Sequence, residues 1–403
     1  MAIHICGQNE VNEGLPNVSE PDETTIYLVP AEDEQSGNLY DEYIYVDGDW
    51  EKFGSGGTID LSAYAPIESP VFTSSISMGR VGDIGANSVA VGLDVTASDQ
   101  YSHAEGYYTA ASNEAAHAEG YNSNASGYAS HAEGCDTNAT DDYTHAEGYS
   151  VTASGYASHA EGYCTKASNE SSHAEGSDTI ASGYYSHAEG YGGTNYGALG
   201  QADHVEGYQT KANSGTGSNC GAHAEGNRTQ ATADAAHAEG NSTIASGAHS
   251  HAEGVNTIAS GGNSHAEGYG ASGKGALGKA DHSEGYKTLA NSGTTVADYG
   301  AHAEGYQTVS KSRGSHAEGG KGSSDTWTYG GTTYTYGATG QYSHSEGYNT
   351  TASANSAHAE GNGTFAKGIY SHAEGYNSKA TSDGSHAEGN STLASAYYSH
   401  AEG

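Results

Sequence analysis

No proline occurs after Pro70; all five (Pro16, Pro21, Pro30, Pro66 and Pro70) precede the rest of the chain. Collagen-like and polyproline rods are thereby excluded, and the later residues are free to run as an uninterrupted hydrogen-bonded stack. Large apolar residues are scarce: from residue 100 onward Leu, Ile, Phe, Trp and Met together number ten. A conventional core cannot be assembled from so few, so cohesion must come from ladders. Basic residues are scarce too, 13 Lys and Arg against 50 Asp and Glu, for a formal charge of −37. That balance argues against nucleic acid and against anionic membrane as partners, since both require a basic surface. The four cysteines, Cys6, Cys135, Cys164 and Cys220, lack metal or redox spacing and read as unpaired. The N-terminus lacks a basic, apolar, small-residue leader, and no apolar run is long enough to cross a bilayer.

What is present is a ruler. The pattern His, one small residue, Glu, Gly occurs twenty times between His103 and His400, mostly at 14-residue steps. Low hydrophobicity with high charge is the composition of disordered chains, but disordered chains do not hold so strict a period. A fixed short period marks a solenoid, each unit one coil that must stack on the next. In Ser102-His103-Ala104-Glu105-Gly106, period two puts Ser102, Ala104 and Gly106 on one face and His103 with Glu105 on the other. The following stretch, as in Tyr121 to Gly127, is β-like too, and the Gly after each Glu is expected at positive φ. The expected fold is all-β, with about twenty rungs near 4.8 Å apart.

Residues 1–57 differ, with thirteen acids against the single base Lys52, and strand-like runs at Thr25 to Val29, Tyr40 to Val46 and Trp50 to Phe53. They are expected to form a small β module with a hairpin turn at Asp47-Gly48-Asp49 and anchors at Trp50 and Phe53. Residues 58–86 read as an extended connector and 87–403 as the repetitive roll. Within the roll, Val89 lies 14 residues before His103 and Val91 14 before Glu105. The His and Glu slots therefore accept valine, so the columns begun by Val89, Val91, His103, Glu105, His117, Glu119, His131, Glu133, His145 and Glu147 are expected to form a buried or subunit-facing seam.

Ser88-Val89-Ala90-Val91-Gly92 followed by small-residue rungs of 14 resembles the head repeat of trimeric autotransporter adhesins, the YadA-like head. The resemblance covers residues 87–403 and implies a fibrous homotrimer of left-handed parallel β-rolls. Together with the N-terminal module and the stretch from Tyr64-Ala65-Pro66 to Ser77-Met78-Gly79, the rungs are similar to tail fibres of phages and phage-like particles that infect Gram-positive bacteria. That similarity implies a virion tail fibre made in the host cytoplasm without a signal peptide. Its N-terminal module would join baseplate or tail proteins, and its roll would bind a bacterial surface receptor, a glycan among the candidates. A bacterial trimeric surface adhesin is the alternative, and a polysaccharide-degrading fibre a third.

Enzyme activity is not expected, because a catalyst needs one distinctive constellation and no copy of the His/Glu pattern stands apart. No metal or cofactor is expected; the main alternative is an ion held by converging His from three chains. Interchain His–Glu pairing would raise the His pKa, depress that of Glu and give a stability maximum in the mildly acidic range. Eleven Tyr follow the repeat Gly, among them Tyr107, Tyr121 and Tyr149, and are read as edge packing. A Thr column six residues after each His, including Thr109 and Thr137, lacks the flat double array of an ice-binding face. The 14-residue step breaks after His187, His204, His265, His282 and His316. The extra residues, near 191–221, 269–300 and 319–342, are expected to bulge outward as loops carrying the receptor contacts, with Trp327, Tyr329, Tyr334, Tyr336, Leu199 and Leu277 as candidates. Because the chain stops at Gly403 after a complete repeat, its last rung is expected to be covered by another protein or freed from a removed assembly domain.

Overall fold

The computed structural model describes residues 76–403 except 216–220, 294–299 and 323, together with the strand backbones between residues 2 and 54. The chain divides at Ile76/Ser77 into two compact units. In the first, Ala2–Ile5, Thr25–Pro30, Tyr40–Val46 and Asp49–Gly54 make a four-stranded sheet, the first pair parallel and the others antiparallel. The anchoring side chains of Trp50 and Phe53, residues 47–48 of the expected turn, the connector up to residue 75, and Cys6 and Cys220 lie outside the described residues.

The second unit is a parallel β-solenoid of about 22 turns, with no helix among the described residues. It starts earlier than residue 87: the strand Ile76–Ile84, inside the stretch read as connector, already lies beneath Val89–Ala97, and Gly85 N–H donates to the Ala97 carbonyl. Each regular turn has a five-residue strand such as His117–Tyr121, a bend, a two-residue strand such as Asn124–Ala125, and a second bend. Equivalent residues pair in register, His117 with His131, Glu119 with Glu133 and Gly120 with Gly134. Twenty-two rungs at the usual inter-strand spacing make a stack on the order of 100 Å long.

Two bends per 14 residues require positive φ, and the sequence supplies it three ways. The bend after the long strand uses Asn122, Asp136, Asn256, Asn349 and Asn377 at φ 52–56°, residues whose short polar side chains tolerate this conformation. The bend before each His uses mostly Ala, Ser or Tyr, such as Ala129 at φ 51°. The repeat Gly has the strictest requirement. Gly120 sits at φ +108°, and a Cβ there would meet the Gly134 carbonyl oxygen at 2.0 Å.

The interior is a bundle of single-residue columns. Ala104, Ala118 and Ala132 of the long strands face Ala111, Ala125 and Ala139 of the short strands, all fully buried. Ser102, Ser130 and Ser158 fill one corner and Thr109, Thr137 and Thr165 the other, buried as well. The Thr column is thus internal and offers nothing to ice. Where Ser replaces Ala in the long strand, the Thr of the same turn gains a partner: Ser283 with Thr288 at 2.6 Å and Ser345 with Thr350 at 2.7 Å. Cys135 and Cys164 are free thiols.

Gly120→Ala should cost about 3 kcal/mol or more, from overpacking added to a backbone region reserved for Gly. Gly262→Ala, whose Cβ would meet only a carbonyl at 3.7 Å, should be near neutral. Urea unfolding of the two variants checks the contrast; equal midpoints would mean that the stacked glycines do not set the rise.

Candidate functional site

The long strand presents His and Glu outward on one face, and register converts that face into two ladders. Imidazole rings pack in one unbroken column from His103 to His400, every consecutive pair 4.6–5.0 Å apart between centroids. Most pairs are near parallel, for example His117 and His131 at 2°. In sixteen turns the Nε2 atom lies 3.5–4.0 Å from the Glu Oε2 two residues along the same strand. Val89 and Val91 continue these columns, paired with His103 and Glu105. His103, His117, His131 and His145 are half-buried, and Glu105, Glu119, Glu133 and Glu147 somewhat more open. The expected His–Glu partnership therefore exists within one chain, between residues two apart.

Within one chain the electrostatics disfavour the imidazolium form. His117, His131, His159, His173, His223, His302, His358 and His372 are all held below the ordinary imidazole pKa. Partial burial is the largest cause in each, and repulsion from the His above or below comes next; the attraction of Glu is the smaller effect. A proton on one ring is opposed by its stacked neighbours, and the carboxylates beside it are well solvated.

The insertions do not simply bulge away. Leu199 and Leu277 belong to the rungs: Gly197–Ala198 and Gly275–Ala276 are short strands, and the two Leu N–H groups donate to the Ala212 and Ala290 carbonyls. The extra residues of these turns are the bends at 192–196 and 270–274. At the third break, Thr326–Tyr329 and Thr332–Thr335 form an antiparallel hairpin that lies on the short-strand face. There Trp327 and Tyr334 pack edge-on against Phe365 at 4.8 and 4.7 Å, Tyr329 joins them at 5.6 Å, and Trp327 Nε1–H donates to Thr351 Oγ1. Phe365 is completely covered. Tyr336 stacks beside Trp327. The four rings face the roll, and the outward side of the hairpin is Thr326, Thr328, Thr333 and Thr335. The base of the hairpin is fixed by Lys321, almost fully buried, which pairs with Asp325; Lys274 of the preceding bend reaches the same carboxylate at 3.9 Å. Lys321 holds Asp325 below the usual carboxylate range.

Apolar residues on the short-strand face are covered by the hairpin at Phe365 and left partly open beside the 270–274 bend. Ile244 and Ile258 remain at the floor of an open groove of about 410 Å³, bordered by Ser242, Asn256, Tyr269 and Lys287. Tyr269, Tyr286 and Tyr306 stack in sequence along its edge at 5.1 and 5.0 Å, and Lys287 Nζ lies over the Tyr286 ring at 4.8 Å. Tyr121 and Tyr149 are similarly half exposed, so the tyrosine column packs on itself and leaves one side wet.

Sequence reasoning missed Asp203 and Asp281. They occupy the buried Ser corner, 1% exposed, at the start of the lengthened turns that run from His204 to His223 and from His282 to His302. Asp203 accepts from the N–H groups of Gly200, Ser214 and Ala222 at 2.6, 3.1 and 2.8 Å; Asp281 accepts from those of Gly278, Ser292 and Ala301 at 2.7, 2.9 and 3.0 Å. Each carboxylate ties together backbone on both sides of the lengthened segment that follows it. The signal was legible as Ala-Asp-His at 202–204 and 280–282, where other rungs carry a small neutral residue before His.

No protein-family profile matches the chain, and no curated protein is significantly similar to it.

Two outcomes are expected. Because the eight imidazoles named above have lowered pKa values in the folded chain, the unfolded chain takes up protons first. The neutral ladder contributes fully above about pH 6.5, and stability falls as pH drops below that value toward the depressed folded pKa. Melting temperature should therefore decline from pH 7 to pH 5, and a maximum near pH 5.5 would contradict the ordering of effects. Separately, Asp203→Ala strands three buried N–H donors and should cost about 3 kcal/mol. Asp203→Asn, which keeps part of the acceptor set, should cost less, as denaturant midpoints would show.

Proposed function

We propose that the chain is the receptor-binding fibre of a phage or phage-like particle that attaches to a bacterial surface. The observation supporting this reading is the division of labour around the solenoid. Twenty rungs keep an unbroken ladder on one face, while the length changes at 192–196, 270–274 and 324–336 are absorbed elsewhere, beside a groove and a pinned hairpin on the short-strand side. A rigid stack with localised irregularity is what a spacer with a recognition surface requires.

In this reading the His/Glu face packs against two further copies to make a homotrimer. A single narrow roll has only Ala, Ser and Thr inside and leaves half-buried rings along its whole length. The sheet of residues 2–54 joins the particle. Recognition falls on the groove at Ile244, Ile258, Tyr269 and Lys287, because the aromatic side of the hairpin is occupied by Phe365. An apolar floor, a tyrosine edge and one partly buried cation suit a sugar ring bearing an acidic substituent. Three copies would add avidity to a weak single contact.

Binding of the labelled chain to a panel of Gram-positive cells tests the reading, with oligomeric state read by light scattering. Wild type should bind as a trimer, and Tyr269→Ala with Lys287→Glu should lower binding at least tenfold while the trimer persists. A folded monomer would remove the trimer, and undiminished binding by the double variant would remove the groove.

A further inference from the structure

The ladder has a chemical deficit that hydrogen bonding within the chain does not repair. The Nε2 atoms of His117, His131, His145, His358, His372 and His386, among others, are shielded from solvent and have no hydrogen-bond partner. The nearest carboxylate oxygens, at 3.5–4.0 Å, are in most turns beyond hydrogen-bond reach. Buried polar nitrogens without partners are uncommon, and a missing ion is one of the few physical explanations for them.

We propose that the His/Glu ladder is a binding strip for zinc-class divalent transition-metal ions, with its best-formed site at His358, Glu360 and His372. Among the described residues these are the one group of three in which a nitrogen, a carboxylate oxygen and a second nitrogen all lie within 4.8 Å of one another. Two imidazoles and a carboxylate are a zinc ligand set, leaving the fourth position to water. A tetrahedral ion bound at the usual lengths holds its ligand atoms about 3.3 Å apart, so the three groups must close by roughly 1.5 Å at most. All three side chains retain a third or more of their surface and can rotate to do so, whereas the backbone spacing stays fixed by the β-ladder. The two rings stand 15° from parallel at 4.6 Å, so their lone pairs point side by side and each ring must turn by roughly 50° to aim at an ion between the turns. The carboxylate gives the site a net negative charge, and the acidic chain raises the local cation concentration. Nitrogen donors favour zinc, nickel and copper over magnesium and calcium. The three ligating groups come from one chain, so the site exists in a single copy; in the fibre reading the same face meets two further copies, and the ion is then held at that seam.

Equilibrium dialysis of the full chain against Zn²⁺ at pH 7.5, after removal of adventitious metal, tests the proposal, with Mg²⁺ in parallel. At least one Zn²⁺ per chain should be retained at micromolar free metal, with no comparable Mg²⁺, and Zn²⁺ should raise the melting temperature. Glu360→Gln should weaken the tightest class about tenfold, and His358→Ala with His372→Ala should abolish that class while circular dichroism stays unchanged. X-ray absorption of the loaded wild type should show mixed nitrogen and oxygen ligation. Absence of retained Zn²⁺, or equal retention by the folded double variant, overturns the proposal.

Discussion

The governing constraint is that nearly every residue of the solenoid must tolerate a copy of itself about 4.8 Å away. Parallel, in-register pairing places Gly on Gly, Ala on Ala and His on His, so whatever a position contributes, favourable or not, is multiplied along the stack. Ala columns interlock because the methyl group fills the space between opposed strands. Gly columns are required because a Cβ would enter the next turn's carbonyl. Imidazoles suit an outward column because a neutral, flat ring can stack on its own kind. The Glu column is the one that like-on-like stacking penalises, and it is kept the more exposed of the two.

This logic explains what could be read from the sequence. The 14-residue recurrence of His, Glu and Gly revealed the coil, its two faces, its small-residue interior and the positive φ of the repeat Gly, because each is a local property repeated. The Val89/His103 and Val91/Glu105 equivalences correctly foretold register. The direction of the His titration was not legible. It depends on the competition between Glu, which spacing reveals, and partial burial with ring-on-ring repulsion, which only the stacked coordinates supply. Nor was the destination of Trp327 and Tyr334 visible, since Phe365 lies far along the chain but two turns away in the stack.

The insertions follow from the same constraint. Extra residues cannot enter an interior built from single-residue columns, yet they need not leave the surface. The third insertion folds back as a cover for the lone Phe of the short-strand column, and the turns beneath gain an apolar contact that Ala and Thr alone could not provide. Asp203 and Asp281 solve the complementary problem by supplying acceptors where the backbone of the next rung has departed. Irregularity is confined because each departure is closed within one turn, and the His column passes every one of them without a gap.

The Glu column makes the solenoid a polyelectrolyte. Two unit charges in water interact with thermal energy at a separation of about 7 Å, whereas rungs recur at about 4.8 Å. A line of charges denser than that threshold draws a condensed layer of counterions, as the phosphates of a nucleic acid do. The unfolded chain spreads the same carboxylates along 14 residues of contour apiece and holds no such layer. Folding therefore takes up cations from solution, and salt favours the folded rod. An exposed ion pair would behave in the opposite way.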